Sequence, residues 1–162
     1  MISLHKLDYL SPIGVLEIIG TDEAIVSIMF SNVDKIVNRK NAETPHVLEE
    51  CYKQLDEYFK GKRYTFTIPI MYEGTAFQKE VWGYLASIAY GTTSTYKDIA
   101  IAIGNEKAIR AVGATNGKNK LSIVIPCHRV IGTNGKLTGY AGGLWRKEWL
   151  LQHEKSNKHP FQ

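Results

Sequence analysis

The apolar run Leu121-Ser122-Ile123-Val124-Ile125 constrains this chain more than any other stretch, because Pro126-Cys127-His128-Arg129-Val130 follows it directly. The run predicts a short buried strand. Pro126 fixes φ and removes a backbone donor, so it stops the strand and sets a rigid turn. Whatever fold forms must then hold Cys127, with His128 beside it, at the mouth of a buried segment. A thiol held there is a strong nucleophile once its proton is removed, and a neighbouring imidazole is the usual means. The competing reading is plain packing, with Cys127 as a small buried hydrophobe ahead of a surface His-Arg pair. The dipeptide alone does not separate the two.

Bulk properties narrow the setting. A length of 162 residues, 44% hydrophobic and 22% charged, suits one compact domain or two small subdomains sharing a core. No stretch approaches the roughly 18 apolar residues that span a bilayer, so no membrane partner is expected. Met1-Ile2-Ser3-Leu4-His5-Lys6 lacks the basic-then-apolar layout of a signal peptide, and the expected location is a bacterial-type cytoplasm. Cys51 and Cys127 fit that compartment: a disulfide framework is not expected and a free reactive thiol can persist. Without CxxC or HxxxH spacing a structural zinc is not expected either, and the reading assigns no metal and no cofactor. Charge is divided unevenly. Residues 1–90 hold 9 Lys/Arg against 12 Asp/Glu, net −3, whereas residues 91–162 hold 11 against 4, net +7. A basic half carrying a candidate nucleophile points to an anionic partner, with nucleic acid the first guess.

The first third reads as strands. Val15 to Ile19, a turn at Gly20-Thr21-Asp22, and Ala24 to Phe30 predict an antiparallel hairpin. Thr44-Pro45 predicts a helix start, with Leu48, Cys51, Leu55, Tyr58 and Phe59 at helical spacing and Gly61 at the end. Cys51 therefore belongs to the buried stripe and is read as core. Tyr64 to Ile70 alternates like one more strand, and Pro69 to Gly74 is the expected boundary between halves.

The second half changes character. Thr75-Ala76-Phe77-Gln78 is a capping box, opening a helix with Phe77, Val81, Leu85 and Ile88 on one stripe. Thr95-Tyr96-Lys97-Asp98 starts a short helix through Ile103. Gly104-Asn105 turns the chain, and Asn105 is the expected cap of a second helix running to Gly117. Two short helices joined by a Gly-containing turn have the pattern of a helix-turn-helix. The second carries Ala108, Ala111, Gly113 and Ala114 around a single large cation, Arg110. A helix that reads bases carries Arg, Asn or Gln on its groove face, so this one predicts binding positioned by phosphates with little sequence readout. Gly139-Tyr140-Ala141-Gly142-Gly143 reads as a loop into a last helix, Leu144 to His153, ending near Glu154.

Together, Pro126-Cys127-His128-Arg129, Arg110-Ala111-Val112-Gly113, Asn119, Tyr140-Ala141-Gly142-Gly143, Lys147-Glu148-Trp149-Leu150 and His153-Glu154 resemble one known family, the O6-alkylguanine-DNA alkyltransferases. The resemblance covers about residues 75–155 at motif level. The N-terminal half is similar in layout only. The fold this implies is α+β: an N-terminal RNase-H-like sheet-plus-helix domain over 1–70, and a mostly helical DNA-binding alkyltransferase domain over 75–158 with a helix-turn-helix and an active-site strand.

The same resemblance implies roles. Cys127 resembles the alkyl acceptor, His128 the base that deprotonates it through a water, and Glu154 the carboxylate that orients the imidazole. Tyr96 resembles the phenol that contacts a phosphate and hydrogen-bonds the departing base. Arg110 resembles the finger that fills the gap left by a flipped nucleotide, with Ala111 beside it on the DNA face. Asn119 resembles a hinge between recognition helix and active-site strand. Tyr140, Ala141, Gly142 and Lys147 match pocket positions, and Val130 lies where main-chain groups meet the guanine edge. The implied partner is double-stranded DNA containing O6-alkylguanine, met by a monomer, with O4-alkylthymine left open.

The chemistry asks for these types. The alkyl group lies inside the duplex, so the nucleotide must be flipped out, and displacement at carbon needs a thiolate plus donors for the departing base. The product is a thioether that no residue here hydrolyses, so Cys127 is expected to work once. Two positions depart from the family pattern. Ala141 stands where many members have Ser, and Lys120 where many have Pro. Two other readings compete: a damage sensor that flips alkylated guanine without transfer, which Cys127 argues against, and a cysteine hydrolase built on Cys127, His128 and Glu154, which leaves the basic helix pair unexplained.

Overall fold

The computed structural model describes residues 3–157. The chain divides into two compact units, Met1–Tyr72 and Glu73–Gln162. The first is a three-stranded antiparallel sheet in the order β1 (His5–Ser11), β2 (Gly14–Gly20), β3 (Ile25–Phe30), with α1 (His46–Phe59) packed against it. The β2–β3 hairpin follows the expectation, and β1 joins it through the register His5↔Gly20 to Ser11↔Gly14. Leu48, Cys51, Leu55 and Tyr58 of α1 are fully buried beneath Leu16, Ile18, Ile25 and Ile28, so Cys51 is a core residue whose thiol burial pushes up to about 12. The cap of α1 is Pro45 rather than Thr44, whose hydroxyl instead accepts the Asn41 N–H and closes the preceding turn.

Tyr64 to Ile70 is not a strand. Its alternation is real, with Ile68 buried between exposed neighbours, but only one bridge forms, Ile25↔Ile70. Side chains take the backbone groups that a ladder would use: Gln54 Oε1 accepts from Thr67 N at 2.9 Å, and Arg63 donates to Thr65 O at 2.9 Å.

In the second unit the expected capping box forms at Thr75, and the helix start at Thr95 proves to be a second one. Thr75 with Gln78 starts α2 (Ala76–Ala86), and Thr95 with Asp98 starts α3 (Tyr96–Ala102). Gly104, at φ 82°, turns the chain into a 3₁₀ turn, Glu106–Ala108, which leads into α4 (Ile109–Gly117). Asn105 contributes no side-chain cap there. Helices α3 and α4 pack as the expected pair, and α4 is pinned to α2 by Trp82 Nε1 donating to Thr115 O at 3.1 Å. The last helix, α5, runs Leu144–Ser156, so Glu154 lies within it. The expected bound at residue 158 lies outside the described residues.

The run Leu121–Ile125 is buried as expected but turned rather than extended, which corrects the expected active-site strand. Asn119 is the reason. Its carboxamide accepts from Leu121 N at 2.9 Å and donates to Ile125 O at 2.8 Å, satisfying locally the groups a strand would need paired. Ile125 N closes the turn on Leu121 O at 2.9 Å, and Ile123 is held at φ 73°, rare for a β-branched residue. The strand at this point is β5 (Val130–Ile131), paired in parallel with β4 (Ser94–Thr95). That pairing sets Ser94 and Thr95, which lead into α3, beside the two residues that follow Arg129.

The Thr95 cap holds this start. Thr95→Ala should destabilise the protein by about 1 kcal/mol, while Thr95→Ser stays close to wild type. Urea unfolding compares the three, and equal midpoints would show that the cap carries no stability.

Candidate active site

Cys127 begins a 3₁₀ turn, Cys127–Arg129, set by Pro126 and by Cys127 N donating to Ile125 O at 2.8 Å. The residue is 5% exposed. Burial raises its thiol pKa, opposed by a hydrogen bond from Asn119 and by the charge of Lys147. Helix α4 is tied to the same turn twice: through Asn119 just beyond its end, and through Asn116 Nδ2, which donates to the carbonyl of Cys127 at 3.3 Å.

Behind the thiol lies a buried ionic cluster. His128 Nε2 meets Glu154 Oε2 at 2.6 Å. Arg129 grips the same carboxylate at both oxygens, Nε to Oε1 at 2.8 Å and Nη2 to Oε2 at 3.1 Å, and its third nitrogen donates to Ile88 O at 2.6 Å. Gly91 N adds a further bond to Oε1 at 3.2 Å. Burial by itself would raise the Glu154 carboxyl, but His128 and Arg129 outweigh it and hold the group well below the usual carboxylate range. Burial lowers the His128 pKa; Glu154 opposes this, while Arg129 and Lys147 reinforce it. An ionised acceptor at Nε2 assigns the ring proton there and leaves Nδ1 as the basic nitrogen. Nδ1 is buried and has no hydrogen-bond partner among the described residues.

The other wall comes from α5 and the loop before it. Lys147 is 0% exposed, donates through Nζ to Thr138 O at 2.8 Å, and lies 6.0 Å from the centre of the Tyr96 ring. Burial brings its ammonium down to about 8, with Cys127 pulling the other way. Thr138 Oγ1 donates to the Tyr96 hydroxyl at 2.7 Å. The Tyr140 phenol is pushed well above its ordinary value, by burial first and by the nearby Cys127 second. Arg146 donates to Gly142 O at 3.1 Å, fastening the end of the loop that carries Ala141.

The fold thus gathers Cys127, His128, Glu154, Asn119, Lys147, Tyr140 and Tyr96 within one unit. Val130 is buried in β5, paired with Ser94. Arg110 and Ala111 sit elsewhere, on the exposed face of α4. Ala114 and Gly117 are exposed with them, and a Cβ built at Gly117 would meet nothing within 4 Å. These small residues are therefore not explained by packing within the chain. Lys97, Lys107, Lys118 and Lys120 are exposed on the same helix pair and its end. Among the described residues no cluster of three or more His, Cys, Asp or Glu is arranged to hold a metal ion, and no helix is long and apolar enough to cross a membrane. Sequence reasoning leaves Arg129, Asn116 and Thr138 without roles. A linear pattern marks Arg129 only as a neighbour of His128, and its partner Glu154 is 25 residues away.

Both Glu154 and His128 titrate below their ordinary values in the folded chain, so the unfolded chain binds these protons first. Their contribution to stability is complete above about pH 6.5 and is lost on acidification, first below the ordinary imidazole value and further below the ordinary carboxylate value of about 4.3. Urea unfolding from pH 3 to 8 should show this acid limb, with its carboxylate part, below about pH 4.3, flattened in Glu154→Gln. An equally steep limb in the variant would disprove the assignment.

Comparison with known proteins identifies the family. The family described as 6-O-methylguanine DNA methyltransferase, DNA binding domain, matches residues 76–156, and its ribonuclease-like domain matches residues 5–72. The methylated-DNA–protein-cysteine methyltransferase of Methanosarcina barkeri is 44% identical over 154 residues, covering 91% of this chain and 94% of that protein. The constitutive one of Bacillus subtilis is 44% identical over 152 residues, covering 90% and 92%. The crystal structure of Mycobacterium tuberculosis O6-methylguanine methyltransferase superposes with a TM-score of 0.85 at 37% identity, covering 98% of this chain and 96% of that one. A Mycobacterium tuberculosis structure in complex with DNA gives 0.85 at 40% identity, with 94% of each chain covered. With both of its units matched, this chain belongs to the 6-O-methylguanine DNA methyltransferase family.

Proposed function

We propose that this protein repairs double-stranded DNA by moving the alkyl group of O6-alkylguanine onto Cys127, once per molecule. The observation that carries the reading is the Cys127 turn backed by the His128–Glu154–Arg129 cluster, with His128 Nδ1 the ring nitrogen left to accept a proton. His128 takes the thiol proton through a bridging water. The Sγ–carbon bond forms as the carbon–O6 bond breaks, and the electron pair passes to the guanine ring. The proton that guanine regains replaces the one the thiol gave up, so the exchange balances without a cofactor. Tyr96 donates a hydrogen bond to the departing base, and Lys147 favours the thiolate by charge. Each matters more here than in water, because the site excludes solvent. Tyr140, Ala141 and Gly142 line the alkyl pocket, and backbone groups at Val130 meet the guanine edge. In this reading one copy of the chain fills every role, and it acts as a monomer.

The exposed cations of α3 and α4 supply phosphate contacts, and the bare face around Ala111, Ala114 and Gly117 lets a groove approach the helix backbone closely. Arg110 stands on that face to occupy the stack when the lesion is flipped out.

Intact-protein mass spectrometry after incubation with O6-methylguanine duplex should show one methyl group per molecule, on Cys127. Cys127→Ser should bind the duplex and gain nothing. Multiple turnovers, or an adduct on Cys51, would overturn the reading. Arg110→Ala should slow reaction with duplex DNA by tenfold or more, on the order of the few kcal/mol that flipping costs, and leave reaction with free O6-benzylguanine unchanged. Equal losses on both substrates would remove Arg110 from the flipping step.

A further inference from the structure

We infer that Thr138 is a positioning residue for alkyl transfer, its hydroxyl orienting the Tyr96 phenol as a donor and its carbonyl holding Lys147 against the same ring. This rests on the reading that Tyr96 donates to the departing guanine. Thr138 bridges two elements that do not otherwise share a hydrogen bond here: Oγ1 donates to Tyr96 Oη at the start of α3 at 2.7 Å, and its carbonyl accepts from Lys147 Nζ of α5 at 2.8 Å. The bridge is built rather than incidental. The loop before Thr138 folds back through Gly132 N to Lys136 O at 2.9 Å and Gly135 N to Gly132 O at 2.8 Å. The Thr138 methyl lies 3.5 Å from the point where a Gly132 Cβ would stand, and a β-branched side chain has little rotamer freedom of its own. On the other side the Tyr96 ring lies against Gly113 of α4.

The consequence follows from hydroxyl chemistry. A phenol oxygen that already accepts a hydrogen bond turns its own proton away from that partner and donates it more strongly. With Thr138 on one side, the Tyr96 proton is available to a ring nitrogen of the departing base. As the Sγ–carbon bond forms and the carbon–O6 bond breaks, charge grows on the base and that hydrogen bond strengthens. Lys147, 6.0 Å from the ring centre, favours the same redistribution. No net proton leaves Tyr96.

The test is a double-mutant cycle on the full chain, reading the second-order rate of transfer from O6-methylguanine duplex. Thr138→Val keeps the shape and the carbonyl and removes the hydroxyl. It should slow transfer about five- to tenfold, the factor carried by one hydrogen bond. Thr138→Ser should recover most of that rate, and duplex affinity, measured in a Cys127→Ser background, should be unchanged. In a Tyr96→Phe background, Thr138→Val should have no further effect, because its action passes through the phenol. Thr138→Ala is a second hydroxyl-free variant should the valine disturb folding. A wild-type rate in both hydroxyl-free variants, or the same slowing with and without the Tyr96 hydroxyl, would overturn the inference. A wild type that forms no adduct on Cys127 would overturn the proposed function instead.

Discussion

The second unit is organised around the ionised carboxylate of Glu154. A buried charge costs several kcal/mol unless its lone pairs are met, and removing one member of a buried pair strands the other. Glu154 is met by His128, by both arms of Arg129 and by the Gly91 amide. Glu154 itself lies in α5, and its partners come from two other places, the turn after Pro126 and the segment following α2. One interaction therefore closes the unit and sets the chemistry of its site. Arg129 supplies the positive charge that Glu154 needs, so His128 can stay neutral while remaining bonded to it. Without that second cation, the carboxylate would draw a proton onto the imidazole, and the candidate base would be spent before any substrate arrived.

A second constraint runs from the DNA-binding helices to the thiol. Asn116 holds the carbonyl of Cys127, Asn119 shapes the turn before it, and the two-residue pairing of β4 with β5 joins the lead-in of α3 to the strand that follows the Cys127–Arg129 turn. The nucleophile and the helices that would carry the nucleic acid are parts of one hydrogen-bonded assembly. Precision of this kind needs rigid connections, and short polar bonds to backbone supply them without adding length to the chain.

Much of this was legible in the chain. The two capping boxes at Thr75 and Thr95, the Gly104 turn and the stripe of α1 depend on local spacing, and local spacing is what a sequence displays. Cys127, His128 and Glu154 were also legible, through their motif. The failures share one physical origin. Leu121–Ile125 and Tyr64–Ile70 both carry strand-like patterns, yet in each a carboxamide from outside the pattern, Asn119 or Gln54, takes the backbone groups and turns the chain aside. Periodicity reports which side chains face inward and says nothing about where the peptide groups find partners. Arg129, Asn116 and Thr138 escaped for the related reason that their partners lie 9 to 42 residues away.

The enclosure of Cys127 has a bearing on how long the molecule stays useful. A thiol that can react only once is wasted by any oxidant or stray electrophile that reaches it first. Oxidation and adventitious alkylation both favour accessible thiolates. At 5% exposure and with its pKa raised, Cys127 waits as a shielded, protonated thiol. Lys147 and His128 are buried with it, and under the proposed function they favour the thiolate only for a substrate that has entered the site. Under the proposed function, one enclosure both protects the thiol in the absence of damage and surrounds the reaction in its presence.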